Sequence, residues 1–294
     1  MAMHEEMSAF DRLLEGLLLA IEGQAAQPST GEGDNRQLLR CLILKLWKGL
    51  STLRAIHEPR RVVVHGQGTF SFVDFSSVAV LARSALENHL IIEWLFGSHS
   101  SEEIKQFRRQ LWIYGGYMSR ASHKPTMEPA IEMCKQAYQQ AQDMRPEIIR
   151  GLETFYPAVF KDAKKKRKFV LDGHWTKVFS YQSLATDAGH HPDYFATLYA
   201  SLSGHAHTNY NSVFQTATLS GLDQQLDLAK TFTILLLPMM AHTLLLYENL
   251  VPGARQALSK SPELVDLAQE YRIEKDDMVE TFKDAWRYPE TDNA

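Results

Sequence analysis

Helical periodicity runs along almost the whole chain and limits its fold more than any other feature of the sequence. Apolar residues recur three and four positions apart over residues 10–21, 38–57 and 74–96. Strand-like character is confined to residues 61–72, which contain RVVVHGQGTF. The sequence therefore predicts an all-α multi-helix bundle with at most a short extended hairpin near 62–72.

The composition is ordinary for a globular protein. Of 294 residues, 45% are hydrophobic and 22% are charged, and the formal net charge of −4 provides no general attraction to nucleic acid or to an anionic membrane. Cys41 and Cys134 lie in helical patterns where a small buried hydrophobe is the usual role. Together with the absence of a secretory signal pattern, they predict a cytoplasmic protein.

Polar and proline-containing stretches predict the domain organisation. The polar, glycine-containing residues 25–36 predict a linker between an N-terminal helix, 1–24, and a main helical domain, 37–252. Residues 253–294 are expected to form C-terminal helices that pack on that domain. Within the main domain we expect a helix to begin near Pro146.

One apolar stretch is almost long enough to span a membrane. Residues 231–247, TFTILLLPMMAHTLLLY, are near the lower length limit for a membrane span and include Pro238 and His242. We expect them to belong to one long core helix, 222–250, that bends at Pro238. Membrane association is the less favoured alternative.

Two charged residues interrupt an apolar helix. Arg83 and Glu87 lie four positions apart in VAVLARSALENHLIIEWLF and therefore on one face. Breaking a buried ion pair costs about 3–5 kcal/mol, so we expect both side chains to have partners. The pair is either a salt bridge that fixes helix packing or part of a catalytic site.

A second polar stripe could supply those partners. Tyr199, Ser203 and His207 are spaced four and four in LYASLSGHAH, whereas His205 points about 120° away from His207. A histidine beside arginine and glutamate can perform acid/base chemistry. A hydrogen-bonded structural histidine is the alternative. We expect the two stripes to meet in one site.

Other patterns are less informative. The histidine-rich middle of the chain includes the adjacent His190 and His191, which lack the helical spacing of a zinc pair, so we expect no metal site. No cofactor fingerprint is present. Gly115 and Gly116 follow no strand, and they predict a bend or a close helix crossing instead of a phosphate loop.

Several dispersed residues together resemble a known family. They are Arg-x3-Glu at Arg83, a short helix after Trp175 (SLATDAG), and LYxxLSxxxH ending at His207. Over about residues 38–250 the chain resembles an uncharacterised bacterial all-helical family of unknown function. That family is distantly similar to the HEPN superfamily, many of whose members are ribonucleases of toxin, CRISPR or phage-defence systems.

The HEPN resemblance implies roles for particular residues. Its signature is an arginine followed after four to six residues by a histidine, which Arg83 and His89 satisfy, although His89 points about 120° away on an ideal helix. The resemblance implies that Arg83 holds an RNA phosphate, that His207 or His89 activates the ribose hydroxyl, and that two copies form a homodimer.

A basic run could guide RNA to such a site. Five consecutive basic residues follow KDA in KDAKKKRK, and they are Lys164, Lys165, Lys166, Arg167 and Lys168. A solvated loop or helix end without a ligand is the alternative for this run. The sequence thus leaves open whether the protein is a HEPN-like RNA-acting protein of a defence or toxin-type system. The alternative is a non-catalytic ligand-sensing or assembly subunit with a buried Arg-Glu-His network.

Overall fold

Helices form most of the protein. The computed structural model describes residues 2–25, 35–66, 68–97, 100–158, 164–207 and 209–283. The helices are α1 Ala2–Ala25, α2 Asn35–Ala55, α3 Phe75–Phe96, α4 Glu102–Ala121, α5 Glu128–Phe155, α6 Lys164–Leu171, α7 Tyr181–Asp187, α8 Pro192–Ala206, α9 Tyr210–Thr218, α10 Leu222–Ile234, α11 Leu237–Leu250, α12 Pro252–Leu258, α13 Pro262–Tyr271 and α14 Val279–Lys283.

Two short strands form the extended structure of the described residues. β1 (Arg60–Val64) pairs antiparallel with β2 (Gly68–Phe72), and Val62 lies opposite Phe70. Gly66 and Gly68 have positive φ angles of 77° and 99°, which glycine adopts at little cost and which reverse the chain between the strands. The prediction of an all-α bundle with one hairpin is confirmed.

The chain divides into two compact units. Unit 1 comprises residues 1–92 and 189–294, and unit 2 comprises residues 93–188. In unit 1, α1 packs against α2, α10, α11, α12 and α13. Phe10, Leu13 and Leu17 on α1 are completely buried, so this helix is at the centre of the unit 1 core.

Unit 2 is built around the paired helices α4 and α5. Trp94, at the end of α3, stacks on Trp175 with ring centroids 4.9 Å apart and an interplanar angle of 5°. The expectation that a helix begins near Pro146 is wrong, because α5 continues through Pro146 as one helix of 28 residues. Tertiary packing of α5 on α4 offsets the hydrogen bond that the proline cannot donate.

The long apolar helix expected over residues 222–250 is divided. α10 ends at Ile234, α11 begins at Leu237, and Pro238 occupies the first turn of α11, where its missing N–H costs little. The helix expected to bend at Pro238 is therefore interrupted at residues 235–236, just before that proline.

By length and composition alone, one segment of the described residues could cross a membrane. This segment is Leu222–Leu250, whose most apolar window has a mean hydropathy of 1.5 and is 67% buried within the protein. A buried core helix passes the same test, so the segment is weak evidence for a membrane span.

Both cysteines differ from expectation. Cys41 is exposed, and Cys134 is half-buried and donates a hydrogen bond to the backbone oxygen of Arg120. Cys41 lies off the buried stripe of α2, so its burial was wrongly predicted. Cys134 is in line with the buried Ala137 and Ala141 of α5 but lies near the start of the helix, where it is only partly covered. Of the predicted linker 25–36, residues 26–34 lie outside the described part of the chain.

Adjacent glycines on α4 provide a test of the packing in unit 2. A Cβ at Gly115 would lie 2.6 Å from Cδ1 of Trp175, whereas a Cβ at Gly116 would meet nothing within 4 Å. Gly115→Ala is expected to lower the free energy of unfolding by about 1–3 kcal/mol through overpacking. Gly116→Ala should raise it by about 1 kcal/mol, because alanine is the better helix former.

The measurement is equilibrium denaturation of the two variants beside the wild-type protein. Equal stabilisation by both substitutions would contradict the close approach of Trp175 to α4.

Candidate functional site

Two side-chain hydrogen bonds, involving Asp74 and His205, hold the start of α3. Asp74 caps the helix by accepting a hydrogen bond from the Ser77 backbone N–H at 3.0 Å. Ser76, the second residue of α3, has its Oγ 3.2 Å from Nδ1 of His205 on α8. The contact of Ser76 with His205 joins the start of α3 to the last turn of α8.

Arg83 is the centre of the resulting cluster. Its guanidinium donates from Nε to Glu87 Oε1, from Nη1 to His207 Nε2 and from Nη2 to Tyr199 Oη, each at 2.9 Å. Tyr199 in turn donates to Glu87 Oε1 at 2.9 Å. The predicted meeting of the two stripes is confirmed for these four residues, which we call the Arg83 cluster.

The hydrogen bonds fix the protonation of His207. A guanidinium has donors only, so His207 Nε2 must accept, and the imidazole is neutral with its proton on Nδ1. A neutral imidazole is the form that can take up a proton. His207 caps the end of α8 and is exposed. The cluster therefore holds a proton acceptor at the protein surface, beside a permanent cation.

Arg83 and Tyr199 remain in their ordinary protonation states at neutral pH. Burial opposes the charge on Arg83, but hydrogen bonds to Tyr199 and Glu87 raise its pKa above its usual value. Burial raises the pKa of Tyr199, and its hydrogen bond to Glu87 adds to this effect. The Arg83 guanidinium also lies 5.0 Å from the centre of the Tyr199 ring, a cation–π distance.

Ser203 shares the helix face but not the hydrogen bonds. Its Oγ is buried and has no hydrogen-bond partner among the described residues. The spacing of the sequence predicted a contact between Ser203 and the other members, and the structure gives none. Ser203 lies about three turns into α8, and its short side chain makes no hydrogen bond to α3.

His89 belongs to a different part of unit 1. It is completely buried, with Nδ1 2.9 Å from Thr243 Oγ1 and Nε2 3.1 Å from His190 Nε2. Desolvation lowers its pKa well below the usual value, and the nearby His190 and His242 lower it further. The structure thus separates His89 from Arg83, in agreement with the 120° that an ideal helix gives between them.

The buried histidines form a directional chain of hydrogen bonds. The hydroxyl of Thr243 donates to Met239 O at 2.9 Å, so His89 must donate to Thr243 through Nδ1. His89 Nε2 then accepts from His190 Nε2. His242 donates separately from Nε2 to Ile273 O at 2.9 Å. Among the described residues, no three His, Cys, Asp or Glu side chains are arranged to hold a metal ion.

The basic run lies on α6 in unit 2. Lys164, Lys165, Lys166 and Lys168 are exposed, and Arg167 is half-buried. Lys165 and Lys177 lie over the Phe169 ring, with Nζ 5.8 Å and 4.8 Å from its centre. Residues 161–163 of the basic segment are outside the described residues.

Two cavities lie away from the Arg83 cluster. One, of about 480 Å³, is bounded by α1, α2 and α10 and contains the ion pair of Arg54 with Asp11. The other, of about 360 Å³, lies between α4 and α5. Neither is lined by a residue of the Arg83 cluster, whose exposed member His207 places the cluster at the protein surface.

Sequence reasoning missed two contacts that support the cluster. One is His205 with Ser76, and the other is Asn209, whose side chain caps α9 by accepting from the Ser212 N–H at 2.9 Å. The Asn-x-x-Ser pattern at Asn209 and Ser212 was an available signal for the second contact.

Comparison with known proteins gives one match. Residues 71–221, just over half of the chain, match the model of a family of unknown function (DUF5677). This range contains every residue of the Arg83 cluster, and it confirms the resemblance to an uncharacterised family. No curated protein and no solved structure matches the chain. The similarity to HEPN proteins stays a prediction.

The buried histidine chain predicts acid sensitivity. Burial lowers the pKa of His190 from 6.5 to about 4, so the unfolded chain binds a proton that the folded protein does not. Stability should be complete above pH 6.5 and should fall as the pH decreases towards 4, with His190 contributing on the order of 3 kcal/mol.

His190→Gln is the matched variant, because glutamine keeps an N–H donor but does not titrate. Thermal unfolding of both proteins between pH 7.5 and 4 measures the effect. The variant should show the shallower decrease in melting temperature, and identical pH profiles would contradict the assignment.

Proposed function

Because the chain belongs to the DUF5677 family, whose function is unknown, we propose a function from the geometry of its site: the Arg83 cluster binds and cleaves an RNA phosphodiester. The observation that carries the proposal is the 2.9 Å contact between Arg83 Nη1 and His207 Nε2 at the surface. It pairs an anion-binding guanidinium with a neutral imidazole.

The guanidinium has capacity for a phosphate. Its contacts with Glu87, His207 and Tyr199 use one N–H on each nitrogen, which leaves one N–H on each terminal nitrogen for ligand oxygens. Two parallel N–H groups match two oxygens of a phosphate. Glu87 and Tyr199 hold the guanidinium in place, so less conformational freedom is lost when the anion binds.

The chemistry requires only groups that the cluster and the RNA supply. When the ribose 2′-hydroxyl displaces Arg83 Nη1 from the exposed His207, Nε2 of the imidazole accepts the proton of that hydroxyl. The 2′-oxygen then forms a bond to phosphorus, and the bond from phosphorus to the 5′-oxygen breaks. The leaving oxygen takes a proton from water, because the Tyr199 proton is donated to Glu87. Arg83 stabilises the charge that develops on the phosphate.

Further features agree with an RNA substrate. The exposed lysines of α6 provide local positive charge on a protein whose net charge is −4. The HEPN resemblance suggests that such an activity would serve a defence or toxin-type system and that the protein acts as a homodimer. Both remain part of the proposal.

Cleavage of RNA by purified variants tests the assignment of His207. His207→Ala and His207→Gln should each lower the cleavage rate by about 10²–10⁴-fold without changing the melting temperature, since the side chain is exposed. Arg83→Lys should lower it as well, because an ammonium cannot make the same set of contacts. His123→Ala removes another exposed histidine, in unit 2, and is the matched control.

Gel analysis of a labelled single-stranded RNA provides the rates. Equal cleavage by the wild-type protein, the His207 variants and the control would contradict the catalytic assignment.

A second candidate function follows from how fully Arg83 is bonded within the protein. Three protein acceptors surround its guanidinium, an arrangement that also suits a non-catalytic subunit in which the cluster joins α3 to α8. In that case Arg83→Ala should lower the free energy of unfolding by about 1–3 kcal/mol, because Glu87 and Tyr199 lose a charged donor.

The double variant Arg83→Ala with Glu87→Gln separates the two candidate functions. For a structural cross-link, denaturation should show partial recovery, since the unpaired carboxylate is gone. For a catalytic site, the recovered protein should still be inactive. A single variant as stable as the wild-type protein would contradict the structural candidate.

A further inference from the structure

An exposed aromatic face lies on α9. Tyr210, Val213 and Phe214 are 78%, 51% and 54% exposed, and their spacing of three and four places them on one side of the helix. The rings of Tyr210 and Phe214 are stacked, with centroids 5.9 Å apart and an interplanar angle of 16°. Single exposed apolar residues are ordinary, but a contiguous group with aligned rings is typical of a binding surface.

The face is tightly coupled to the Arg83 cluster. His207, which directly follows α8, lies three residues before Tyr210, so their Cα atoms are at most about 11 Å apart. Asn209 N donates to Gly204 O at 3.1 Å, and a Cβ at Gly204 would lie 2.6 Å from Asn209 Nδ2. This close junction fixes α9 against the end of α8, next to His207.

Polar contacts anchor the opposite side of α9. Ser212 is buried and donates from Oγ to Asn209 O at 2.9 Å. Gln225, on α10, donates to Leu219 O at 2.7 Å and accepts from Val73 N at 2.9 Å. The helix therefore presents Tyr210 and Phe214 to solvent from a fixed backbone, which lowers the entropy lost when a ligand packs on them.

We propose that Tyr210, supported by Phe214, stacks on a nucleobase of single-stranded RNA adjacent to the phosphate that Arg83 binds. This inference rests on the proposed function and specifies its substrate. Aromatic rings bind bases of any sequence through their faces, and unpaired bases are accessible in single strands but not inside an A-form duplex. The surface around Tyr210 and the guanidinium of Arg83 together match the two parts of a nucleotide, a flat apolar base and an anion.

Binding is measured with a fluorescent 2′-O-methyl oligonucleotide, which lacks the nucleophile and cannot be cleaved. Fluorescence anisotropy compares the wild-type protein with Tyr210→Ala, Tyr210→Phe and Tyr138→Ala, the last removing a 54% exposed tyrosine of α5 in unit 2. Tyr210→Ala should weaken binding of the single strand about 5- to 150-fold. Tyr210→Phe should retain the affinity because the ring is kept, and Tyr138→Ala should bind as the wild-type protein does.

A self-complementary duplex of the same composition provides the second readout. Its affinity should be the same for the wild-type protein and Tyr210→Ala, because its bases are not available for stacking. Equal single-strand affinity of Tyr210→Ala and the wild-type protein overturns the inference. So does an equal loss of affinity for single strand and duplex.

The outcomes separate this inference from the proposed function. If Tyr210→Ala loses single-strand affinity while His207→Ala cleaves normally, the stacking surface stands and the catalytic role of His207 fails. If cleavage depends on His207 but binding does not depend on Tyr210, only the stacking surface fails. Light scattering identifies a contact between two copies: a dimer that Tyr210→Ala converts to a monomer with unchanged affinity for single strands also overturns the inference.

Discussion

The hydrogen bonds of Arg83 join helix α3 to helix α8 and its C-terminal end. A guanidinium in an apolar helix must find acceptors, and here the acceptors come from its own helix and from α8. The same guanidinium also donates a hydrogen bond to the exposed His207. The partly buried charge of Arg83 is therefore also the group around which the candidate site is assembled.

Much of this arrangement could be predicted because it depends on helical geometry. Residues four apart share a face, so the contact of Arg83 with Glu87 and the common orientation of Tyr199 and His207 follow from sequence spacing. The contacts of Ser203 could not be predicted in this way. Its position on the face was predictable, but contact also depends on side-chain length and on the distance between the helices.

The remaining differences reflect tertiary packing. Pro146 does not interrupt α5, because the helix packs along α4. Pro238 lies in the first turn of α11, after the break between α10 and α11, and it does not itself mark the break. The pairing of His89 with His190 joins residues 101 positions apart, and no local pattern encodes such a contact. The exposed rings of Tyr210 and Phe214 were likewise invisible to periodicity, which predicts a face but not whether another element covers it.

The hairpin has a consequence for the behaviour of the protein in solution. Its two strands pair only with each other among the described residues, so the outer edge of each has main-chain groups available for another strand. Val63 and Phe70 are 78% and 60% exposed, so pairing with a strand of another copy would remove apolar side chains from water. Arg60 and Arg61 at the start of β1 oppose such pairing by charge repulsion between copies. The two arginines thus act as gatekeepers against edge-to-edge aggregation, and the solubility of the protein is expected to depend on them most at low ionic strength, where their repulsion is least screened.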